Sequence, residues 1–224
     1  MKFREWLEEL EYDVISGDLD IEVEDVIYDS RKAREHVVFV CTKGTKVDSH
    51  EFIPEVVKAG VRGLVVERQA DIPAGVTAIR VHSSREALAH LSAARFGYPQ
   101  EKMITIGVTG TKGKTTTTHM IKAILESCGK KVGMIGTNGT MIGNRVTPNL
   151  NTTPESYQLH QAFADMVEAG CEYMIMEVSS QGIKMHRTDG LFFDYGLFTN
   201  ISPDHIGPDE HADFAEYLYY KSRL

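Results

Sequence analysis

Residues 104–118 read I-T-I-G-V-T-G-T-K-G-K-T-T-T-T. The run 103–108 is apolar and β-branched, the composition of a buried parallel strand, and residues 114–128 carry a helical pattern with Met120, Ile121, Ile124 and Leu125 on one side. A strand therefore feeds a helix through a glycine turn. Gly110 and Gly113 let the backbone turn its N–H groups inward, and the helix that follows directs its positive dipole end at the same spot, which favours an anion there. Lys114 adds a mobile cation for β- and γ-phosphates, and the Thr115 hydroxyl suits Mg²⁺. The strict pattern G-x-x-x-x-G-K-[ST] places glycine at 108, where this chain has Val108, with Gly107 one residue early. What remains, G-T-K-G-K-T behind a strand, is read as a nucleotide-phosphate site formed by Gly110, Thr111, Lys112, Gly113, Lys114, Thr115 and Thr116.

Just upstream, residues 96–102 read F-G-Y-P-Q-E-K, and the Gly and Pro place a domain boundary there, giving domains 1–98 and 99–224. Within the first, Phe3, Trp6, Leu7 and Leu10 suggest one face of a helix. Short apolar runs at 23–28, 36–41, 63–67 and 76–81 predict strands; 51–59, with Pro54 in its first turn, and 83–96, with Leu88 and Leu91 inward, predict helices. This alternation makes a small α/β domain. Downstream of the loop come predicted strands at 131–135, 173–178 and 194–199, a hairpin-like stretch at 140–147 and a helix at 155–169. The second domain is thus expected to be a doubly wound, mostly parallel sheet with ligands at the strands' carboxyl ends. Residues 214–224 read as a helix that simply stops, without a capping signal, as though the chain were cut.

Three polar clusters fall where strand ends would converge: N-T-T at 151–153, E-V-S-S at 177–180 and S-P-D-H at 202–205. Glu177 ends an apolar strand, where a buried carboxylate is costly unless a cation or metal answers it. A salt bridge to Lys or Arg is the plain alternative, but a phosphate loop two strands away favours a metal. His205 reads either as a helix-capping histidine or as a metal or phosphate ligand, Arg187 as a ligand contact or an ordinary surface charge, and Lys221 by itself as a solvated helix lysine.

With a formal net charge of −8 and interspersed signs, the chain offers no basic footprint for nucleic acid or an anionic membrane. Its three cysteines, Cys41, Cys128 and Cys171, lack C-x-x-C spacing, which argues against a disulfide framework or zinc site and for a reducing cytoplasm. The start, M-K-F-R-E-W-L-E-E-L, alternates charged and apolar residues, so neither a signal peptide nor a membrane anchor is expected.

Taken together, G-V-T-G-T-K-G-K-T-T-T, G-T-N-G, N-T-T-P, E-V-S-S-Q-G, H-R and T-N-I-S-P-D-H-I-G resemble the Mur ligases, and within them the MurE type that adds the third, diamino acid to the peptidoglycan stem peptide. D-S-R at 29–31 and V-D-S-H at 47–50 resemble it too, so the likeness covers the whole chain. The resemblance implies a cytoplasmic, monomeric, three-domain enzyme of cell-wall synthesis. Its parts would be a domain gripping UDP-MurNAc-L-Ala-D-Glu, a central ATPase and a third domain admitting L-lysine or meso-diaminopimelate. This chain would supply the first and the front of the second, binding rather than ligating.

Residue by residue, the resemblance puts Asp29, Ser30, Thr45, Lys46 and Val47 near the uridine end of the substrate. Asn151, Thr152, Thr153, Ser179 and Arg187 would hold its muramoyl and peptide portions; Met185 stands where some relatives carry glutamine. ATP would lie on residues 110–116, and Mg²⁺ among Thr115, Glu177 and His205. Lys221 resembles the lysine that the family carbamylates to N6-carboxylysine for a second Mg²⁺, although its spacing from His205 is longer than in many relatives. Lys114, Glu177, His205 and Lys221 would then be the catalytic set. The implied chemistry transfers the ATP γ-phosphoryl group to the D-glutamate γ-carboxylate, and the diamino acid's amine then displaces phosphate. Rival readings are a D-Ala-D-Ala-adding, folylpolyglutamate-type or cyanophycin-synthetase-like ligase, or a non-catalytic nucleotide-sugar-binding module.

Overall fold

In the computed structural model, which describes residues 1–44, 47–204, 206–208 and 210–224, the chain divides into two units, Met1–Gly97 and Tyr98–Leu224. The first carries β1 (Asp13–Ser16), β2 (Asp25–Ile27), β3 (Val37–Val40), α1 (Ile53–Lys58), β4 (Gly63–Val66), β5 (Thr77–Arg80) and α2 (Ser84–Phe96). They form a sheet in the order β1-β5-β4-β3-β2, parallel from β5 to β2, with β1 antiparallel at the edge. Both faces are covered, so the strands read as near-continuous apolar runs. Ile27, Phe39, Cys41, Leu64, Val66 and Ala78 pack with Ile53 and Val56 of α1, and the alternate residues Val26, Val38, Val65 and Ile79 are equally buried on the other face. Ser83 caps α2 by accepting Glu86 N–H, and Gly97 ends it in the left-handed region. Leu88 and Leu91 point inward as expected.

The second unit carries β6 (Ile104–Thr109), α3 (Lys114–Ser127), β7 (Val132–Gly136), β8 (Gly139–Ile142), β9 (Arg145–Thr147), α4 (Ser156–Glu168), β10 (Tyr173–Glu177), α5 (Ser180–Lys184), β11 (Tyr195–Phe198) and α6 (Phe214–Lys221). Its sheet runs β11-β6-β10-β7-β8-β9, parallel as far as β7 and antiparallel beyond it. Alternation along the strands divides the core. Ile106, Val108, Val132, Met134 and Ile175 pack against Ile121 and Leu125 of α3. Ile135, Met174 and Met176 face Leu159, Phe163 and Met166 of α4. The expected α/β architecture with a doubly wound second sheet is present. Among the described residues no helix is long and apolar enough to cross a membrane.

Some local expectations need correction. Met120 and Ile124 do not join Ile121 and Leu125 in the core; they are 60% and 61% exposed, about 100° round the helix from the packed face. The first helix is a single 3₁₀ turn, Phe3–Trp6, and the helix expected from 51 is a 3₁₀ turn, Ser49–Phe52, leading into α1. The last helix does carry a capping signal. Asp213 caps its N-terminus by accepting Glu216 N–H at 2.8 Å, and the Glu216 carboxylate accepts the N–H of Ala212, one residue before the cap, at 2.6 Å.

Candidate functional site

The glycine turn after β6 is held open by its own backbone and fastened from outside. Gly110 has φ +143° and Gly113 φ +85°, and a Cβ at Gly110 would land on Thr199 Oγ1 and press on the Asn200 backbone, so that position must be glycine. Asn200, just beyond β11, accepts Thr111 N–H on its carbonyl at 2.9 Å and Lys112 N–H on its side-chain oxygen at 3.0 Å, and its amide donates back to the Lys112 carbonyl at 3.0 Å. Thr199 Oγ1 donates to the same carbonyl at 2.8 Å. Lys112 is exposed and pairs with Asp204 at 2.9 Å, which raises its pKa through that hydrogen bond. Thr116 is exposed on the first turn of α3.

Two ammonium groups converge on one loop carbonyl. Lys114 Nζ donates to Gly110 O at 2.8 Å and to Thr111 O at 3.3 Å, while Lys221 Nζ donates to Gly110 O at 2.9 Å. Burial lowers the Lys114 pKa, the Glu177 carboxylate partly opposes it, and neighbouring Lys112 lowers it further. Burial first and Lys114 second bring Lys221 down to about 8. Lys221 is only 2% exposed, so it is no solvated helix lysine. Two desolvated ammonium groups sharing one neutral carbonyl would both be favoured by a polyanion bound beside them.

Glu177 lies on the same face of β10 as Ile175, turned toward α3. It is 2% exposed, and its partners are hydroxyls and an amide. Thr115 Oγ1 lies 3.0 Å from both carboxylate oxygens, Thr137 N–H donates to Oε1 at 3.0 Å and Thr137 Oγ1 to Oε2 at 3.2 Å. Among the described residues no Lys or Arg pairs with it within 4 Å, contrary to the salt-bridge alternative. Gly136 makes this possible, since a Cβ there would collide with Glu177 Oε1. The G-T-N-G stretch is the two-residue turn joining β7 to β8, and it delivers Thr137 to the carboxylate.

The N-T-T stretch arrives beside it. Thr152 Oγ1 lies 3.1 Å from Thr137 Oγ1. Thr153 is fully buried: its hydroxyl donates to the Glu177 carbonyl at 3.0 Å and accepts Ser179 N–H at 2.9 Å, with Ser179 Oγ at 3.1 Å. Arg187 donates to the Thr153 carbonyl at 3.1 Å and pairs with Glu155 at 2.7 Å, its side chain 11% exposed, so it is not an ordinary surface charge. Asn151 is exposed at the rim. His205 lies outside the described residues.

In the first unit, Asp29 at the end of β2 accepts both Arg31 N–H and a two-pronged guanidinium contact at 2.9 and 2.7 Å, and the Arg31 hydrogen bond lowers its pKa. Ser30 is half-buried in that turn and Val47 is 50% exposed; Thr45 and Lys46 lie outside the described residues. Beside Val47, Asp48 accepts His50 N–H at 3.0 Å and lies 2.6 Å from His50 Nδ1, while His50 Nε2 accepts Glu67 N–H at 3.2 Å, which fixes the proton on Nδ1. Burial alone would raise Asp48, but the His50 amide and ring and the Arg68 guanidinium outweigh it and hold the carboxyl at about 2. Stability from this group is present above its ordinary 3.8 and lost as pH falls through about 2. Asp48→Ala is expected to cost about 2 kcal/mol at pH 7 in urea denaturation, and that cost shrinks between pH 4 and pH 2.

Sequence reasoning passed over Thr137, Thr199, Asn200 and Tyr217 as individual contributors. G-T-N-G and T-N were legible as motifs; the partner of each residue was not.

Residues 108–224 match the family described as Mur ligase middle domain, and residues 22–96 match Mur ligase family, catalytic domain. The UDP-N-acetylmuramoyl-L-alanyl-D-glutamate--2,6-diaminopimelate ligase of Clostridium perfringens is 43% identical over 224 residues, 100% of this chain and 46% of that protein. The protein of the same name from Clostridium tetani is 40% identical over 227 residues, again 100% of this chain and 46% of its own length. The chain thus spans about half the length of these curated relatives. Among solved structures, one of a ligase of that name superimposes with a TM-score of 0.82 at 24% identity, covering 100% of this chain and 44% of that one. A MurF ligase from Thermotoga maritima in complex with ADP gives 0.56 at 23%, covering 89% and 42%. At these identities both establish likeness of fold.

Proposed function

The chain belongs to the Mur ligase family, and from that premise we propose that it is the part of an ATP-dependent ligase that holds ATP and UDP-MurNAc-L-Ala-D-Glu. The complete enzyme would join a diamino acid to the D-glutamate γ-carboxylate. The names of the relatives favour 2,6-diaminopimelate over L-lysine as that diamino acid. The same reading makes residues 1–98 the substrate-gripping domain and residues 99–224 the front of the ATPase, in a cytoplasmic monomer.

One observation carries the reading: Thr115 and a buried Glu177 meet at 3.0 Å beside Lys114. A carboxylate buried among hydroxyls, with a P-loop threonine on both its oxygens, is a hard-oxygen donor set that fits Mg²⁺. The metal would neutralise phosphate charge. Lys114 and the α3 N-terminus would hold the β- and γ-phosphates, and Thr137 would keep Glu177 aimed. Thr153, Ser179 and Arg187 form one hydrogen-bonded unit at the end of β10 suited to orient a peptide carboxylate. Lys221 has the chemistry carbamylation needs, a buried amine whose pKa near 8 leaves a reactive neutral fraction at pH 7. The resulting N6-carboxylysine would be a further oxygen ligand.

Calorimetry on the 224-residue chain is expected to give saturable heat with Mg-ADP and, separately, with UDP-MurNAc-L-Ala-D-Glu. No heat at millimolar ligand from protein that is folded by circular dichroism would sink the reading. Offering both diamino acids to the full-length protein would decide between them.

A further inference from the structure

We propose that Tyr217 is a positioning residue for the nucleotide, an inference that rests on the phosphate-site reading above. The side chain is wholly buried. Its hydroxyl donates to Thr111 Oγ1 at 3.1 Å; that oxygen also accepts Ser202 N–H at 3.0 Å and sends its own proton to the Ser202 carbonyl at 3.2 Å. The Thr111 hydroxyl is thereby fully used, and its rotamer is fixed from three directions. On the face of the same ring sits the Lys221 ammonium, 4.7 Å from the centroid, in cation–π range. In the unmodified chain, the state the calorimetry below is run in by keeping carbon dioxide out of the buffer, that ammonium donates to Gly110 O.

Gly110 and Thr111 are consecutive in the phosphate loop. One aromatic side chain therefore fixes the side chain of the second and the cation resting on the carbonyl of the first. Helical spacing makes the double role possible, because residues 217 and 221 share one face of α6. The ring is itself braced by His211, centroids 5.3 Å apart. A phosphate loop binds by presenting N–H groups in a preset arrangement, so a loop frozen before the ligand arrives loses less freedom on binding.

Tyr217→Phe keeps the ring under Lys221 and removes only the hydroxyl, while Thr111 keeps both Ser202 bonds. By calorimetry with Mg-ADP, it is expected to weaken affinity about fivefold, with a melting temperature within about 3 °C of the unaltered chain. A residue that merely filled the core would move the melting temperature and leave the affinity alone. In a Thr111→Val background, Tyr217→Phe is expected to change affinity less than about twofold, since the contact is already gone. Tyr217→Leu, which also removes the ring face, weakens binding beyond the phenylalanine variant. The inference is overturned if Tyr217→Phe binds ADP as the unaltered chain does, or if its effect persists undiminished in the Thr111→Val background. Equal affinity of the Phe and Leu variants overturns the role given to the ring. Absence of ADP binding by the folded, unaltered chain overturns the nucleotide reading and this inference with it.

Discussion

Lys114→Ala is expected to weaken Mg-ADP binding about a hundredfold without lowering the melting temperature, and in the full-length protein to abolish ATP-dependent ligation. In the free chain Lys114 is a half-buried ammonium whose hydrogen-bond acceptors among the described residues are two neutral carbonyls, Gly110 O and Thr111 O. Burial lowers its pKa, so folding pays part of the cost of removing its charge from water. Removing the charge leaves Gly110 O its bond from Lys221. On phosphate binding the balance reverses, because each charge-assisted hydrogen bond contributes about 1.5–3 kcal/mol. About 2.7 kcal/mol corresponds to the hundredfold loss. Calorimetry and thermal melts on the same preparation separate the two effects. An affinity within about threefold of the unaltered chain would count against the loop as a phosphate site.

The parts of this site that sequence disclosed are those whose cause is local. Gly110 and Gly113 needed positive φ and adopt it; the β-branched run 103–108 needed burial on both faces and has it at every position but Ile104, which is 38% exposed. Glu177 stood out because a carboxylate ending an apolar strand demands partners. Which partners arrived was not legible, because they come from far along the chain. Thr137 lies 40 residues from Glu177, Asn200 lies 88 from Lys112, and Tyr217 lies 106 from Thr111. Edge structure was equally silent. β1 has only Val14 and Ile15 between polar residues, both substantially exposed, and it is held by pairing to β5 and by the Asp13–Arg80 ion pair rather than by a buried face. On α3, four apolar residues implied one inward stripe, yet the sheet takes only Ile121 and Leu125.

Lys221 is the residue whose sequence reading changed most, and its burial has a measurable thermodynamic consequence. Its folded pKa is about 8, against an ordinary 10.5. Below pH 8 both folded and unfolded chains carry the proton, and its contribution to stability is flat and at its least favourable. Between pH 8 and 10.5 the unfolded chain binds more protons than the folded one, so stability from this side chain rises with pH across that window. Lys221→Met keeps the apolar stem and removes the titration. From pH 7 to pH 10 the stability difference between the unaltered chain and this variant should move by about 2–3 kcal/mol in favour of the unaltered chain. Urea midpoints at the two pH values, in buffer free of carbon dioxide so that the amine stays unmodified, measure it directly. Because Lys114 is the second cause of the shift, repeating the comparison in a Lys114→Ala background should shrink the movement, as the Lys221 pKa climbs back toward its ordinary value. A difference independent of pH in both backgrounds would mean that Lys221 stays solvated, and would remove the reason to expect a reactive neutral amine beside the phosphate loop.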